Sequence, residues 1–147
     1  MQENNAKDIN YSDFELQNFL PAIVYFYSKD NTSGCSVEAQ EFAEKYPEIQ
    51  KLGFNLIGIS RDKITSHQKF REKYNLPFYL ISDTEENLCK QFDVLKEKTL
   101  YGKTHIGVVR STFILNKDGK IIQEWRNVKA RGHAEMVLNF ISDMVKK

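Results

Sequence analysis

AIVYFYSKDNTSGCSVEAQEF, Ala22 to Phe42, changes character twice. Ala22 to Tyr27 is β-branched, aromatic and almost continuously apolar, as expected of a strand covered on both faces. Ser28 to Gly34 is made of turn residues. From Cys35 onward Ala39, Phe42, Ala43, Tyr46 and Ile49 recur at helical spacing. A strand, a tight loop and a long amphipathic helix follow, with a cysteine in the first helical turn and Thr32 as its cap. Pro47 is expected to break or kink that helix, or to restart it as a first-turn residue.

Outward from this stretch the pattern repeats. FNLIGIS (Phe54–Ser60) is a second buried strand, which makes the first helix a β-α-β crossover. Ile64, His67, Phe70 and Tyr74 form the stripe of a second helix, capped by Asp62 and stopped at Leu76-Pro77. FYLIS (Phe78–Ser82) gives a third strand. DTEENLCKQF (Asp83–Phe92) gives a short helix with acidic residues in its first turn, where the backbone dipole favours them. Leu95 to Val109 has weak periodicity and reads as an ordered loop. STFILN and KIIQEW flank a Lys117-Asp118-Gly119 hairpin turn, and Ala134, Val137, Leu138, Ile141, Met144 and Val145 mark a closing helix. The order β-α-β-α-β-α-β-β-α, with no repeats or low-complexity segments, predicts one mixed sheet between helices.

The 147 residues suit one domain. Lys plus Arg number 21 and Asp plus Glu 20. That balance gives no electrostatic reason to expect a nucleic acid or an anionic membrane surface as partner. No apolar run has the length of a membrane span or a signal peptide, so a cytoplasmic location is expected. The two cysteines, Cys35 and Cys89, form no C-x-x-C pair, and no histidine pair has metal-ligand spacing, so neither a metal nor a cofactor is expected.

A thiol attacks only as thiolate, and at its ordinary pKa of about 8.5 little is ionised at neutral pH. A helix N-terminus supplies unpaired N–H groups and the positive end of a macrodipole, both of which favour the anion. Spacing alone leaves an equal case for Cys35 as a small packed apolar residue. His67 reads as a packed helix residue rather than a base, and Trp125 as core or a hydrophobic rim. Glu38, Lys103 and Arg126 are within reach of the cysteine, and Arg61 is a second choice for a nearby cation. Charged residues at such positions are usually solvated or in ordinary surface pairs.

YFYSKDNTSGCSVEAQEF, LIGISRD, SHQKFREKYNLPFYLISD, LYGKTHIGVVRSTFILNKDGKI and EWRNVKARGHAEMVL occur in this order. Together they resemble the peroxiredoxins of the bacterioferritin comigratory protein, or peroxiredoxin Q, group, from about Tyr11 to the carboxyl end. The resemblance implies a single thioredoxin-like α/β domain over residues 1–147, with a central mixed sheet flanked by helices. Because the family's opening segment has no counterpart, its N-terminal hairpin is expected to be shortened or absent. The implied activity is thiol-dependent reduction of hydrogen peroxide and small organic hydroperoxides. Cys35 is then the nucleophile that becomes a sulfenic acid, and Thr32 and Arg110 stabilise its thiolate and the developing charge.

Three positions depart from the family pattern: Ser28 and Ser33 stand where prolines are usual, and Gln40 where many relatives carry a resolving cysteine. Cys89 is the remaining candidate for that role, though relatives commonly carry a cysteine there without using it. The expected cycle uses one cysteine and an external thiol such as thioredoxin, glutaredoxin or a small thiol, in a monomer or weak dimer. The competing reading is a degenerate thioredoxin-fold binding or holdase module without turnover.

Overall fold

The computed structural model describes residues 7–146, so the first six residues, part of the segment read above for a leader, lie outside it. A six-stranded sheet is built from β1 (Asp8–Asn10), β2 (Ala22–Phe26), β3 (Asn55–Ser60), β4 (Tyr79–Ser82), β7 (Ser111–Leu115) and β8 (Ile121–Arg126). Its order is β1-β4-β3-β2-β7-β8. The first four strands run parallel, and β7 and β8 are antiparallel to the neighbours they pair with. This is the mixed α/β sheet that the strand-helix alternation predicts.

Alternation along β2 divides the interior. Ile23, Tyr25 and Tyr27 pack with α1 (Ser33–Lys51) and α4 (His133–Lys146) on one face. Ala22, Val24 and Phe26 pack on the other with the short helix α3 (Asn87–Gln91) and the chain before β2. All six are buried, which explains why the sequence shows no polar alternation there. The crossovers β2-α1-β3 and β3-α2-β4, the latter through α2 (Ile64–Tyr74), share the first face.

Several local expectations change. α1 runs unbroken through Pro47. Its buried stripe of Ala39, Phe42, Tyr46 and Ile49 holds the helix to the sheet on both sides of the proline. The Asp62 carboxylate does not cap α2, because it already accepts from the Asp30 amide (2.8 Å) and the Ser60 hydroxyl (2.6 Å); the cap position is Lys63. At the other end Asn75 closes α2 in the left-handed region, φ 54°. α3 is shorter than expected, and the acidic residues precede it. Asp83 caps it from outside, accepting from the amides of Leu88 (3.1 Å) and Cys89 (2.9 Å).

The segment read as a loop is a two-stranded ribbon, β5 (Leu95–Leu100) against β6 (Lys103–Val108). Its turn places Tyr101 and Gly102 at φ 54° and 76°, the doubly positive pair that matches hairpin twist. Exposed Lys96, Lys98, Thr99, Thr104 and His105 leave no apolar alternation to read. Among the described residues no N-terminal hairpin is present. β1 is one short edge strand, held through Asp8 by the Arg71 guanidinium at 2.7 Å.

Candidate active site

The chain leaves β2 at Phe26 and turns through Ser28 to Asn31 before entering α1, so that Cys35 stands in the first turn beyond the carboxyl end of a central strand. A buried polar cluster fixes this turn. Asp30 accepts from the Tyr27 hydroxyl (2.5 Å) and the Ser66 hydroxyl (2.8 Å), and its Oδ2 lies 2.7 Å from His67 Nδ1. His67 Nε2 lies 3.1 Å from the Ile81 carbonyl. Asp30, Asp62 and His67 therefore converge within 4.8 Å, with every one of these groups engaged inside the protein. His67 is packed, as its place on the helical stripe indicates, and it braces the loop from behind.

Cys35 is 1% exposed. Arg110, at the entry to β7, donates from Nη2 to the sulfur at 3.4 Å and from Nη1 to Glu38 Oε1 at 2.6 Å. The Ser28 hydroxyl lies 3.5 Å from the same sulfur. Thr32 occupies the helix cap position, but its hydroxyl donates to the Lys29 carbonyl (2.9 Å) instead of an α1 amide. That hydroxyl carries one proton, and here it is committed to the Lys29 carbonyl. Burial opposes ionisation of Cys35; the Lys29 backbone, the Ser28 and Thr32 hydroxyls and the Arg110 charge together outweigh it and hold the thiol below its ordinary value. The loop donors thus join the helix end and guanidinium that sequence reasoning emphasised.

Glu38 is wholly buried, and its second oxygen has no hydrogen-bond partner among the described residues. Burial raises its pKa to about 7 against the opposing pull of Arg110. His133, behind Thr112 (Nε2 to Oγ1, 2.7 Å), is driven down to about 4 by burial and then by Arg110. It is neutral at physiological pH.

Other expectations do not converge here. Arg61 pairs with Glu86 at 2.8 Å and the Ile106 carbonyl at 3.1 Å. Arg126 pairs with Glu124 and donates to the carbonyls of Phe92 and Asp93. Lys103 is exposed at the start of β6. Cys89 is fully buried in the core on the far face of the sheet, whereas Cys35 belongs to the core on the α1 face. Burial and then the Asp83 carboxylate push the Cys89 thiol far up, away from reactivity. Gln40 lies exposed on α1 and donates to the Ser36 carbonyl.

Two features were missed from sequence. Gly34 has no side chain where a Cβ would come within 3.1 Å of Arg110 Nη2, so its hydrogen clears the guanidinium's path to the sulfur. A cleft of about 400 Å3 opens above Ser28 and Arg110, walled by Lys96 and Lys98 of the ribbon and by Asn127. The sulfur lies one side chain beneath it. Among the described residues, no helix is long and apolar enough to cross a membrane.

A cysteine at a helix start, with fixed donors that favour its ionised form, in a thioredoxin-like sheet, is the arrangement expected of a thiol peroxidase class. The AhpC/TSA family model matches residues 1–124, and the chain belongs to that family, in its bacterioferritin comigratory protein/peroxiredoxin Q group. It is similar to Peroxiredoxin Bcp of Xanthomonas campestris, 47% identical over 116 residues (79% of this chain, 72% of the relative). Peroxiredoxin Bcp of Bacillus subtilis is 43% identical over 125 residues (85% and 80%). A solved structure of Xanthomonas campestris Peroxiredoxin Q superposes with a TM-score of 0.81 at 44% identity, covering 84% of this chain and 78% of that one. The protein is accordingly a thiol-dependent peroxidase.

Proposed function

We propose that the protein reduces hydrogen peroxide and small organic hydroperoxides in the cytoplasm, with Cys35 as its only redox-active thiol. The Cys35 thiolate attacks one peroxide oxygen in line, the O–O bond breaks, and the alkoxide or hydroxide leaving group takes a proton to depart as alcohol or water. Cys35 is left as sulfenic acid. Negative charge spreads from sulfur over both oxygens during this step, and fixed donors stabilise it without reorganising. The observation that carries the reading is the Arg110 fork, one nitrogen on Cys35 Sγ at 3.4 Å and the other on buried Glu38 at 2.6 Å. Thr32, with a rotatable donor, complements it. An alkyl substrate agrees with the related Xanthomonas campestris protein, for which alkyl peroxide reduction activity is described.

Regeneration by an external thiol is supported by the sheet that separates Cys35 from Cys89, and by Gln40 at the position from which a local disulfide would come. The experiment is peroxide consumption with dithiothreitol, together with mass spectrometry after one peroxide equivalent. Cys35→Ser abolishes turnover and Cys89→Ser largely preserves it, and the oxidised wild type carries a dimedone-reactive sulfenic acid. Equal activity in the two variants, or a Cys35–Cys89 disulfide as the main product, rejects the one-cysteine cycle.

A further inference from the structure

The cleft above Cys35 carries more positive charge than a peroxide requires. Hydrogen peroxide and simple alkyl hydroperoxides are neutral near pH 7, and a cavity of about 400 Å3 exceeds the smaller of them. Lys96 and Lys98 lie two residues apart on β5 and therefore project from the same side of the ribbon, facing the cleft they line with Arg110 and Asn127. No acidic side chain lines this cleft, and neither lysine forms an ion pair among the described residues.

A second observation sets the direction of Lys98. Register places Lys96 opposite Gly107 and Lys98 opposite His105. A Cβ built on Gly107 would nevertheless meet Lys98 Cδ and Cε at 3.2 Å and Nζ at 3.3 Å. Lys98 therefore lies diagonally across β6 in the space that Gly107 leaves empty, toward the position opposite Lys96. Lys98 Nζ is thereby brought to the stretch of ribbon from which Lys96 rises. Arg110 already gives one nitrogen to Glu38 and one to Cys35, which leaves the lysines as the cations available to a ligand.

We infer that Lys96 and Lys98 form the receptor for a small thiol bearing carboxylates, which enters this cleft and reduces the Cys35 sulfenic acid. The inference rests on the one-cysteine reading, which requires the reductant to arrive from solvent on the Cys35 face. With its carboxylates on the two ammonium groups, the incoming thiolate attacks the sulfenic sulfur. The S–O bond breaks, hydroxide leaves and takes a proton to become water, and a mixed disulfide remains on Cys35. A second molecule of the same thiol attacks the ligand sulfur of that disulfide, releasing the Cys35 thiolate and a small-molecule disulfide. Two thiols are oxidised for each peroxide reduced.

The test pre-forms the sulfenic acid with one equivalent of peroxide and follows its loss, by dimedone capture, in glutathione, neutral 2-mercaptoethanol or cationic cysteamine. Rates are compared per thiolate. Glutathione is expected to exceed cysteamine by about tenfold at low ionic strength, and the ratio to shrink in ~0.5 M salt. In Lys96→Gln/Lys98→Gln the ratio approaches one, and Gly107→Val, which displaces Lys98, falls between. Because the ratio is internal to each preparation, a general loss of activity does not mimic the effect. An unchanged ratio in the double variant overturns the inference, as does a lysine effect confined to oxidation by a carboxylate-bearing hydroperoxide. If no sulfenic acid forms on Cys35, it is the proposed function that fails, and this inference with it.

Discussion

Arg110 Nη1 lies 2.6 Å from Glu38 Oε1, a bond that links residues 72 apart in sequence and orients the guanidinium toward the Cys35 sulfur. The carboxylate is completely buried and the arginine is about one-fifth exposed. Glu38 is thus a positioning residue, acting on Cys35 through Arg110. Arg110→Lys keeps the charge but loses the planar fork, which serves both partners at once. Sulfenic acid formation is expected to slow about 10²- to 10³-fold, the usual loss when a fixed donor to a developing anion is removed. Stopped-flow mixing with peroxide measures it; a rate within a factor of about three of wild type would remove Arg110 from the mechanism.

Gly34→Ala separates activity from stability. The added methyl would stand 3.1 Å from Arg110 Nη2, and the guanidinium, held by Glu38, must move away from Cys35. Alanine in place of glycine inside α1 is worth roughly 0.5–1 kcal/mol to the helix. The variant is therefore expected to resist urea better and to react with peroxide more slowly. Gains or losses in both would show that the guanidinium has room to yield.

Ser28 contributes a hydroxyl, 3.5 Å from Cys35 Sγ, at a position where relatives usually have proline. Ser28→Ala removes a donor that favours the thiolate, so the Cys35 pKa rises. Iodoacetamide trapping of Cys35 across a pH series reports the change: below neutrality the alanine variant reacts more slowly than wild type, and the two curves converge at high pH. Superimposable curves would show that the hydroxyl does not touch the anion.

Glu38 and His133 make opposite contributions to acid stability. Burial raises Glu38 from an ordinary 4.5 to about 7, so the folded protein holds this proton more tightly than the unfolded chain; its stabilisation is full below about pH 4.5 and fades as pH rises through 7. Burial and Arg110 lower His133 from 6.5 to about 4, so its contribution is present above pH 6.5 and disappears as pH falls through 4. Each is worth about 3 kcal/mol, and over the shared window they oppose one another. Urea midpoints at pH 5 and pH 7.5 test this in single variants. Glu38→Gln is expected to lose more stability than wild type between pH 7.5 and pH 5, and His133→Gln to gain relative to wild type over the same interval. Parallel changes in all three proteins would contradict these assignments.

Much of this arrangement was legible where a single residue type carries a single physical meaning. The all-apolar run at Ala22–Tyr27 became the buried central strand, and Lys117-Asp118-Gly119 became a turn with Gly119 at φ 84°. Cys35, Thr32 and Arg110 come from the resemblance; in the structure Arg110 Nη2 lies 3.4 Å from the Cys35 sulfur, and the Thr32 hydroxyl is given to the Lys29 carbonyl. The ribbon was illegible because a two-stranded hairpin with polar residues on both sides shows no alternation. Asp62 was misread as a cap because the competing donors, Asp30 N and Ser60 Oγ, reach it only in the folded chain. Gly34 and Gly107 matter for what they leave empty, beside side chains 76 and 9 positions away.

The two thiols lie in separate interiors with a layer of hydrogen-bonded strands between them. Under the one-cysteine cycle proposed above, a chain divided in this way has no internal return path for its electrons: once spent it waits for a collision, and the supply of reducing molecules around it sets its working pace.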